Sequence, residues 1–281
     1  MGSIKQICGF ILTLCACFQG SPAQNAASPR GEPKREFLMF DATFYKQKPD
    51  LRRYGVKPVS IVMWGMLWPP GGDIANLPDR ERVRRVAVEA SRSAGITVLD
   101  IEHWLLSGDP AKVQESIRKY ETLVQWFKEA VPSGKVGYYG VAPLRDYWTS
   151  LQPVDSRRYL AWQKQNDGMA PVARAADILC PSVYTFSEDQ NDFAKYAVAQ
   201  IQEARRYPGG KPVYVFLWPQ YHPTDKQLAG TYVSGEYWRM ELEIARKYAD
   251  GVVIWGGYQQ SWDDTAPWWL ETRQFLQKLS N

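Results

Sequence analysis

Asp100 and Glu102 stand two positions apart in the stretch Leu99-Asp100-Ile101-Glu102-His103-Trp104. In an extended strand alternate side chains share a face, so Asp100, Glu102 and Trp104 are expected to point together. The two acids then lie about 7 Å apart at the backbone, twice the rise per residue. Such a pair can hold two protonation states, one acid moving a proton while the other stabilises charge, as cleavage of a glycosidic bond requires. Two solvated acids after a strand end give the same spacing, so the rest of the chain must decide between the two readings.

Other chemistries lack material. With only His103 and His222, neither a two-histidine metal site nor a Ser-His-Asp triad is well supplied. Strand alternation also turns His103 away from the acids. Cys180 sits inside an apolar run and reads as a small core residue rather than a nucleophile. Gly71-Gly72, Gly209-Gly210 and Gly256-Gly257 lack the spacing of a phosphate loop. No metal and no cofactor is expected.

The elements that must carry the acids follow a regular alternation. Apolar, strand-like runs cover residues 37–44, 59–64, 97–102, 135–141, 178–184, 212–218 and 251–256. Helical periodicity fills 79–94, 110–131, 155–176, 189–207, 234–248 and 264–279. Only the first interval, 45–57, is too short for a long helix. Nearly continuous apolar strands separated by helices imply a parallel sheet with its strand C-terminal ends on one side. The fold class is therefore α/β, a distorted TIM-type (β/α) barrel of seven strands. No Gly-rich turn follows the first strand, as a dinucleotide-binding fold would want. In such barrels the strand C-terminal ends carry the chemistry. Here those ends hold Asp41 and Tyr45, Trp64 and Trp68, Asp100, Glu102 and Trp104, Tyr138 and Tyr139, Tyr184, Trp218 and Tyr221, and Trp255 and Tyr258. With 12 Trp and 16 Tyr in 281 residues, a mouth of this kind suits sugar rings, whose C–H faces stack on aromatics. Many of the aromatics must still be plain core.

The whole chain bounds the setting. Its formal charge of +4 becomes about +3 once residues 1–23 are set aside, because Lys5 is the only charge there. No basic block or RNA-binding pattern accompanies it, so no nucleic-acid partner is expected. Lys5, the apolar stretch 7–18 and Gly20-Ser21-Pro22-Ala23 read as a secretory signal peptide over 1–23, too short for a membrane span. Residues 24–36 form a flexible lead-in and 37–281 a single catalytic barrel. Cys8, Cys15 and Cys17 fall in the signal, leaving Cys180 alone and no internal disulfide. A secreted or periplasmic, monomeric protein is expected. Leu14-Cys15-Ala16-Cys17 offers a second version, a lipoprotein anchored at Cys17.

The residues at the strand ends also match a known pattern. Asp100-Ile101-Glu102-His103-Trp104 resembles the Asp-x-Glu-x-Trp segment of the hyaluronidase family of glycoside hydrolases, number 56 in the usual classification. Gly137-Tyr138-Tyr139-Gly140, Pro181-Ser182-Val183-Tyr184, Val213-Tyr214-Val215-Phe216-Leu217-Trp218 and Asp250-Gly251-Val252-Val253-Ile254-Trp255-Gly256 follow in the family's order. The resemblance spans roughly 37–258 and implies a retaining mechanism in which the substrate's own 2-acetamido oxygen attacks the anomeric carbon. It implies Glu102 as acid and then base, kept protonated by burial and by Asp100. Asp100 would hold the acetamido N–H and face the developing positive charge. Tyr184 would bond the acetamido oxygen with Tyr139 beside it, and Trp255 would wall the pocket. Asp41, Trp104, Trp218 and Tyr221 complete the expected substrate-binding set.

The departures are equally specific. Leu105-Leu106 replaces the Arg-Pro of the animal enzymes, and 141–147 replaces their Pro-Asp-Cys-Tyr-Asn segment. The family's disulfides and Cys-rich module are absent, which suggests a bacterial exported version with a different groove. The expected substrate is thus a polysaccharide or oligosaccharide containing 2-acetamido sugars. Two alternatives stay open: a glycosidase on a non-acetamido glycan with Asp100 or Asp41 as nucleophile, and a glycan-binding barrel without turnover.

Overall fold

Six of the seven apolar runs form regular parallel strands in the computed structural model, which describes residues 35–280. They are β1 (Leu38–Thr43), β2 (Lys57–Pro58) with β3 (Ser60–Met63), β4 (Ile96–Asp100), β5 (Lys135–Tyr138), β6 (Tyr214–Leu217) and β7 (Gly251–Gly256). The signal-like segment, Cys17 and residues 24–34 of the lead-in lie outside the described residues.

The strands make two hydrogen-bonded sheets, β2-β1-β7-β6 and β3-β4-β5, and every pairing is parallel. The sheets adjoin on both sides. On one side, β2 and β3 are successive parts of a single run, the first pairing with β1 and the second with β4. On the other side, residues 178–184 lie between β5 and β6 and touch them through isolated bridges: Tyr139 to Cys180, Leu179 to Val213, and Ser182 to Phe216. This run does not become a regular strand. Pro181 within it has no N–H to donate to a ladder. The seven runs thus follow one another around a distorted TIM-type (β/α) barrel.

Helices fill the intervals: α1 (Trp64–Leu67), α2 (Arg80–Ser93), α3 (Pro110–Ala130), α4 (Tyr147–Ser150), α5 (Arg157–Gly168), α6 (Ala170–Ala175), α7 (Gln190–Arg206), α8 (Gly235–Tyr248) and α9 (Pro267–Ser280). Their starts follow from capping chemistry. The side chains of Asp79, Asp109, Ser156, Asp189 and Ser234 each accept an orphan N–H of the first turn. The helix expected over 155–176 is instead two, α5 and α6. Pro171 cannot donate the backbone hydrogen bond that would carry α5 onward, and it sits in the first turn of α6, where that donor is not needed. The short first interval holds only a 3₁₀ turn, Leu51–Tyr54.

Strand parity divides the apolar residues into two layers. Phe40 and Ala42, Ile96 and Val98, Ile178 and Cys180, Tyr214 and Phe216, and Val253 pack together as one cluster inside the barrel. Their neighbours of opposite parity, among them Met39, Val62, Leu99, Val136, Leu179, Val215 and Ile254, pack outward with residues of the helices in a larger cluster. Gly137 belongs to the inner parity of β5, and a Cβ there would collide with the Ile178 backbone. The strand positions at the top of each inner row therefore open into the barrel mouth.

Candidate active site

Asp100 continues the inner row Ile96, Val98 of β4, Trp255 continues Gly251, Val253 of β7, and Tyr184 continues Ile178, Cys180, Ser182. These parities bring Asp100, Glu102, Tyr139, Tyr184 and Trp255 to one cavity of about 170 Å³, completed by Ile61, Arg145, Phe216 and His222. A second cavity of about 330 Å³ shares Glu102, Tyr139 and Arg145 with the first. It is lined further by Ser107, Asp146, Gln165 and Ser182. Glu102 thus borders open space on two sides.

The acid pair is held from several directions. Asp100 pairs with Met63 of β3, while the Leu99 carbonyl accepts the Tyr139 N–H at 3.1 Å. Between the acids, Ile101 turns outward and is fully buried. Its carbonyl accepts the Tyr120 hydroxyl of α3 at 2.9 Å, and the Tyr120 carbonyl accepts the Tyr138 hydroxyl at 2.9 Å. The link from Asp100 to Glu102 is therefore fastened to the helical layer.

Burial falls unequally on the two acids, and in the opposite sense to the expectation. Glu102 is exposed and Asp100 is half-buried, so burial falls on Asp100. It pushes the Asp100 carboxyl up to about 6, helped by the charge of Glu102 and a hydrogen bond with it. The Asp100 Oδ1 atom is buried with no hydrogen-bond partner. Below about pH 6 Asp100 accordingly keeps its proton, within a hydrogen bond to Glu102.

The phenols are fixed by their own contacts. Tyr139 and Tyr184 lie 5.8 Å apart between ring centroids and share a hydrogen bond. The Tyr139 hydroxyl also meets Ser182 Oγ at 3.0 Å, to which Arg145 donates at 3.4 Å. Burial holds both phenols above their ordinary range, so they stay protonated as donors. The Trp255 ring is braced edge-on by Phe44 at 5.1 Å.

Four expected residues lie elsewhere. Trp104 does not share the face of the acids, because β4 ends at Asp100 and the chain leaves the extended conformation before it. It packs in the outer cluster and donates its indole N–H to the Ile74 carbonyl at 2.9 Å. Asp41 has the outward parity of β1, opposite to Phe40 and Ala42. Its Oδ1 accepts from Thr43, and its Oδ2 is paired with Lys48 at 2.7 Å. Tyr221 is buried in the outer cluster against Tyr237. Trp218 has the inner parity but backs Tyr184 edge-on at 5.6 Å and donates to Gln220, one layer behind the cavity wall. His103 turns away from the cavity, as expected, and packs against Trp68 and Trp104.

Arg145 and His222 were not among the expected site residues, yet both line the cavity. Arg145 lies over the Phe186 ring at 5.6 Å, and His222 packs on the same ring at 4.7 Å. The His222 Nδ1 accepts the Thr224 N–H at 3.3 Å, which leaves the ring proton on Nε2. Burial and Arg145 hold its pKa below the ordinary value, so the neutral ring is a donor. The available signal was positional, since both are polar residues within five positions of a strand-end motif. Among the described residues no group of His, Cys, Asp and Glu has the arrangement to hold a metal ion.

No protein-family model matches the sequence, and no curated protein matches it. Among solved structures the fold is similar to bee venom hyaluronidase, with a TM-score of 0.57 at 18% identity over 88% of this chain and 98% of that one. The same enzyme in complex with a hyaluronic acid tetramer aligns with a TM-score of 0.57 at 17% identity, covering 88% and 97% of the two chains. A putative α-L-fucosidase from Bacteroides thetaiotaomicron reaches 0.50 at 11% identity over 90% of this chain and 98% of that one. At these identities the likeness is one of fold.

Proposed function

We propose that the protein is a retaining glycoside hydrolase acting on a glycan that contains 2-acetamido sugars, with catalysis assisted by the substrate. The observation that carries this reading is the unequal acid pair: an exposed Glu102 beside a half-buried Asp100 whose Oδ1 is buried without a partner. A buried acceptor facing a cavity calls for a donor, and the acetamido N–H is one.

In this reading the proton held between the acids leaves through Glu102. The acetamido oxygen attacks the anomeric carbon as the glycosidic C–O bond breaks, and Glu102 protonates the departing oxygen. Asp100, now ionised, accepts the acetamido N–H and faces the positive charge on the oxazolinium ring. Glu102 then takes a proton from water, which adds to the anomeric carbon and restores the acetamido group. Tyr184, oriented by Tyr139, donates to the acetamido oxygen, and Trp255 covers the methyl group. The N-terminal segment reads as an export signal, which supports a secreted or periplasmic protein. Cys17 is the alternative anchor, and the working unit is a monomer.

The test is hydrolysis of matched glycans with and without 2-acetamido groups. Cleavage is expected only of the former, and Glu102→Gln should abolish it, by about a thousandfold or more, while leaving the thermal midpoint and the binding of a thiazoline ligand in place. A fully active Glu102→Gln enzyme sinks the proposal. A trapped covalent glycosyl-enzyme favours an aspartate nucleophile instead, and binding without release of product favours a lectin-like barrel.

A further inference from the structure

Behind the cavity wall lies a carboxyl that the mechanism does not use. Glu241 of α8 is 1% exposed. Its Oε1 accepts the Thr185 hydroxyl at 2.6 Å, and its Oε2 has no partner. Thr185 is itself fully buried, and two cavity residues depend on it. Tyr184 precedes it in the chain, and the Thr185 carbonyl accepts the His222 backbone N–H at 2.8 Å. One buried side-chain hydrogen bond therefore ties the outer helical layer to both Tyr184 and His222, whose rings stand 6.2 Å apart.

Such an arrangement is costly for packing alone. A buried carboxyl–hydroxyl pair with one oxygen left over is worse for stability than apolar side chains of similar size at both positions. Burial holds the Glu241 carboxyl well above its ordinary range, so it is a neutral hydrogen-bonding group there. A neutral Gln has the same shape and can keep an oxygen toward Thr185.

We propose that Glu241 is a positioning residue of the site, acting through Thr185 to hold Tyr184 and the Nε2–H of His222 in place at the cavity. The effect on turnover rests on the proposed glycosidase activity. The placement of the two rings does not.

Three variants separate positioning from bulk packing. Glu241→Leu should lower kcat about tenfold, as expected for a misplaced donor, with KM changed less than about twofold. Glu241→Gln should rescue kcat. The double variant Glu241→Leu/Thr185→Val removes both polar partners, so it should recover the thermal midpoint lost in Glu241→Leu, yet keep the low kcat. Wild-type kcat in folded Glu241→Leu, or recovery of kcat together with the midpoint in the double variant, overturns the proposal. If the wild-type protein hydrolyses no glycan, the glycosidase reading fails, and the His222 ring nitrogens report the placement directly by NMR. Wild-type and Glu241→Gln proteins should show a single Nε2–H form. The double variant should show a mixture of ring forms, and a spectrum identical to wild type overturns the proposal.

Discussion

Two aromatic clusters of similar ring geometry sit in different layers of the barrel, one at its mouth and one beneath α9 and the chain that precedes it. At the mouth, Tyr139, Tyr184 and Trp218 stand with centroids 5.6–5.8 Å apart. In the outer layer, Tyr45, Trp262, Trp268 and Trp269 stand 4.9–5.9 Å apart. Ring packing does not distinguish them; their polar atoms do. The mouth phenols and the Trp218 indole find partners in Ser182, each other and Gln220. In the outer cluster the indole N–H groups of Trp268 and Trp269 are buried without any. The mouth spends apolar surface on holding donors at a cavity, whereas the outer cluster accepts unpaired donors in order to bury large rings.

This contrast yields graded expectations. Trp268→Ala should be the most damaging change, costing about 3–5 kcal/mol of stability by leaving a large cavity in the outer layer. The turnover of the fraction still folded should not change, and chemical denaturation beside an active-site titration checks both. A loss of kcat without a loss of stability would erase the distinction between the clusters.

Asp100→Asn should do the reverse, lowering kcat about a hundredfold while raising stability at neutral pH. The sign follows from the pKa of about 6 in the folded state against 3.8 for the free group. Folding favours the protonated carboxyl, so its contribution is fully present below about pH 4 and is lost as pH rises through about 6. The variant should remove a penalty of about 3 kcal/mol at pH 7 and flatten the stability profile between those limits. In the wild-type enzyme, hydrolysis should fall as pH climbs past about 6, because the pair then loses the proton that Glu102 must deliver. A pH-independent stability difference between the two proteins would contradict this account. The smallest effect is expected of Tyr184→Phe, about tenfold in kcat from one lost hydrogen bond, with a thermal midpoint near wild type.

How much of this was legible in the chain depends on the range of the interactions involved. The order of strands and helices was local information. Period-2 and period-3.6 apolar patterns, with Asp and Ser caps, located β1, β3–β7 and the long helices to within a few residues. That Asp100, Glu102, Tyr139, Tyr184 and Trp255 meet at one cavity was legible too, since each stands at or just past the end of an apolar run. Parity would also have excluded Asp41, whose row on β1 faces outward, had strand-end position not been given more weight than face.

Other features were beyond local pattern. Trp104 required knowing that extended structure stops at Asp100, which is decided by where β3 and β5 cease to pair with β4. Arg145 and His222 reach the cavity by loop returns fixed through Ser182, Phe186 and Thr185, residues up to about 40 positions away. The inequality of the acids was likewise tertiary. Sequence determined that two carboxyls share a strand end, but which of them loses its water depends on the packing of the whole barrel mouth, and that packing buries Asp100 and leaves Glu102 in solvent.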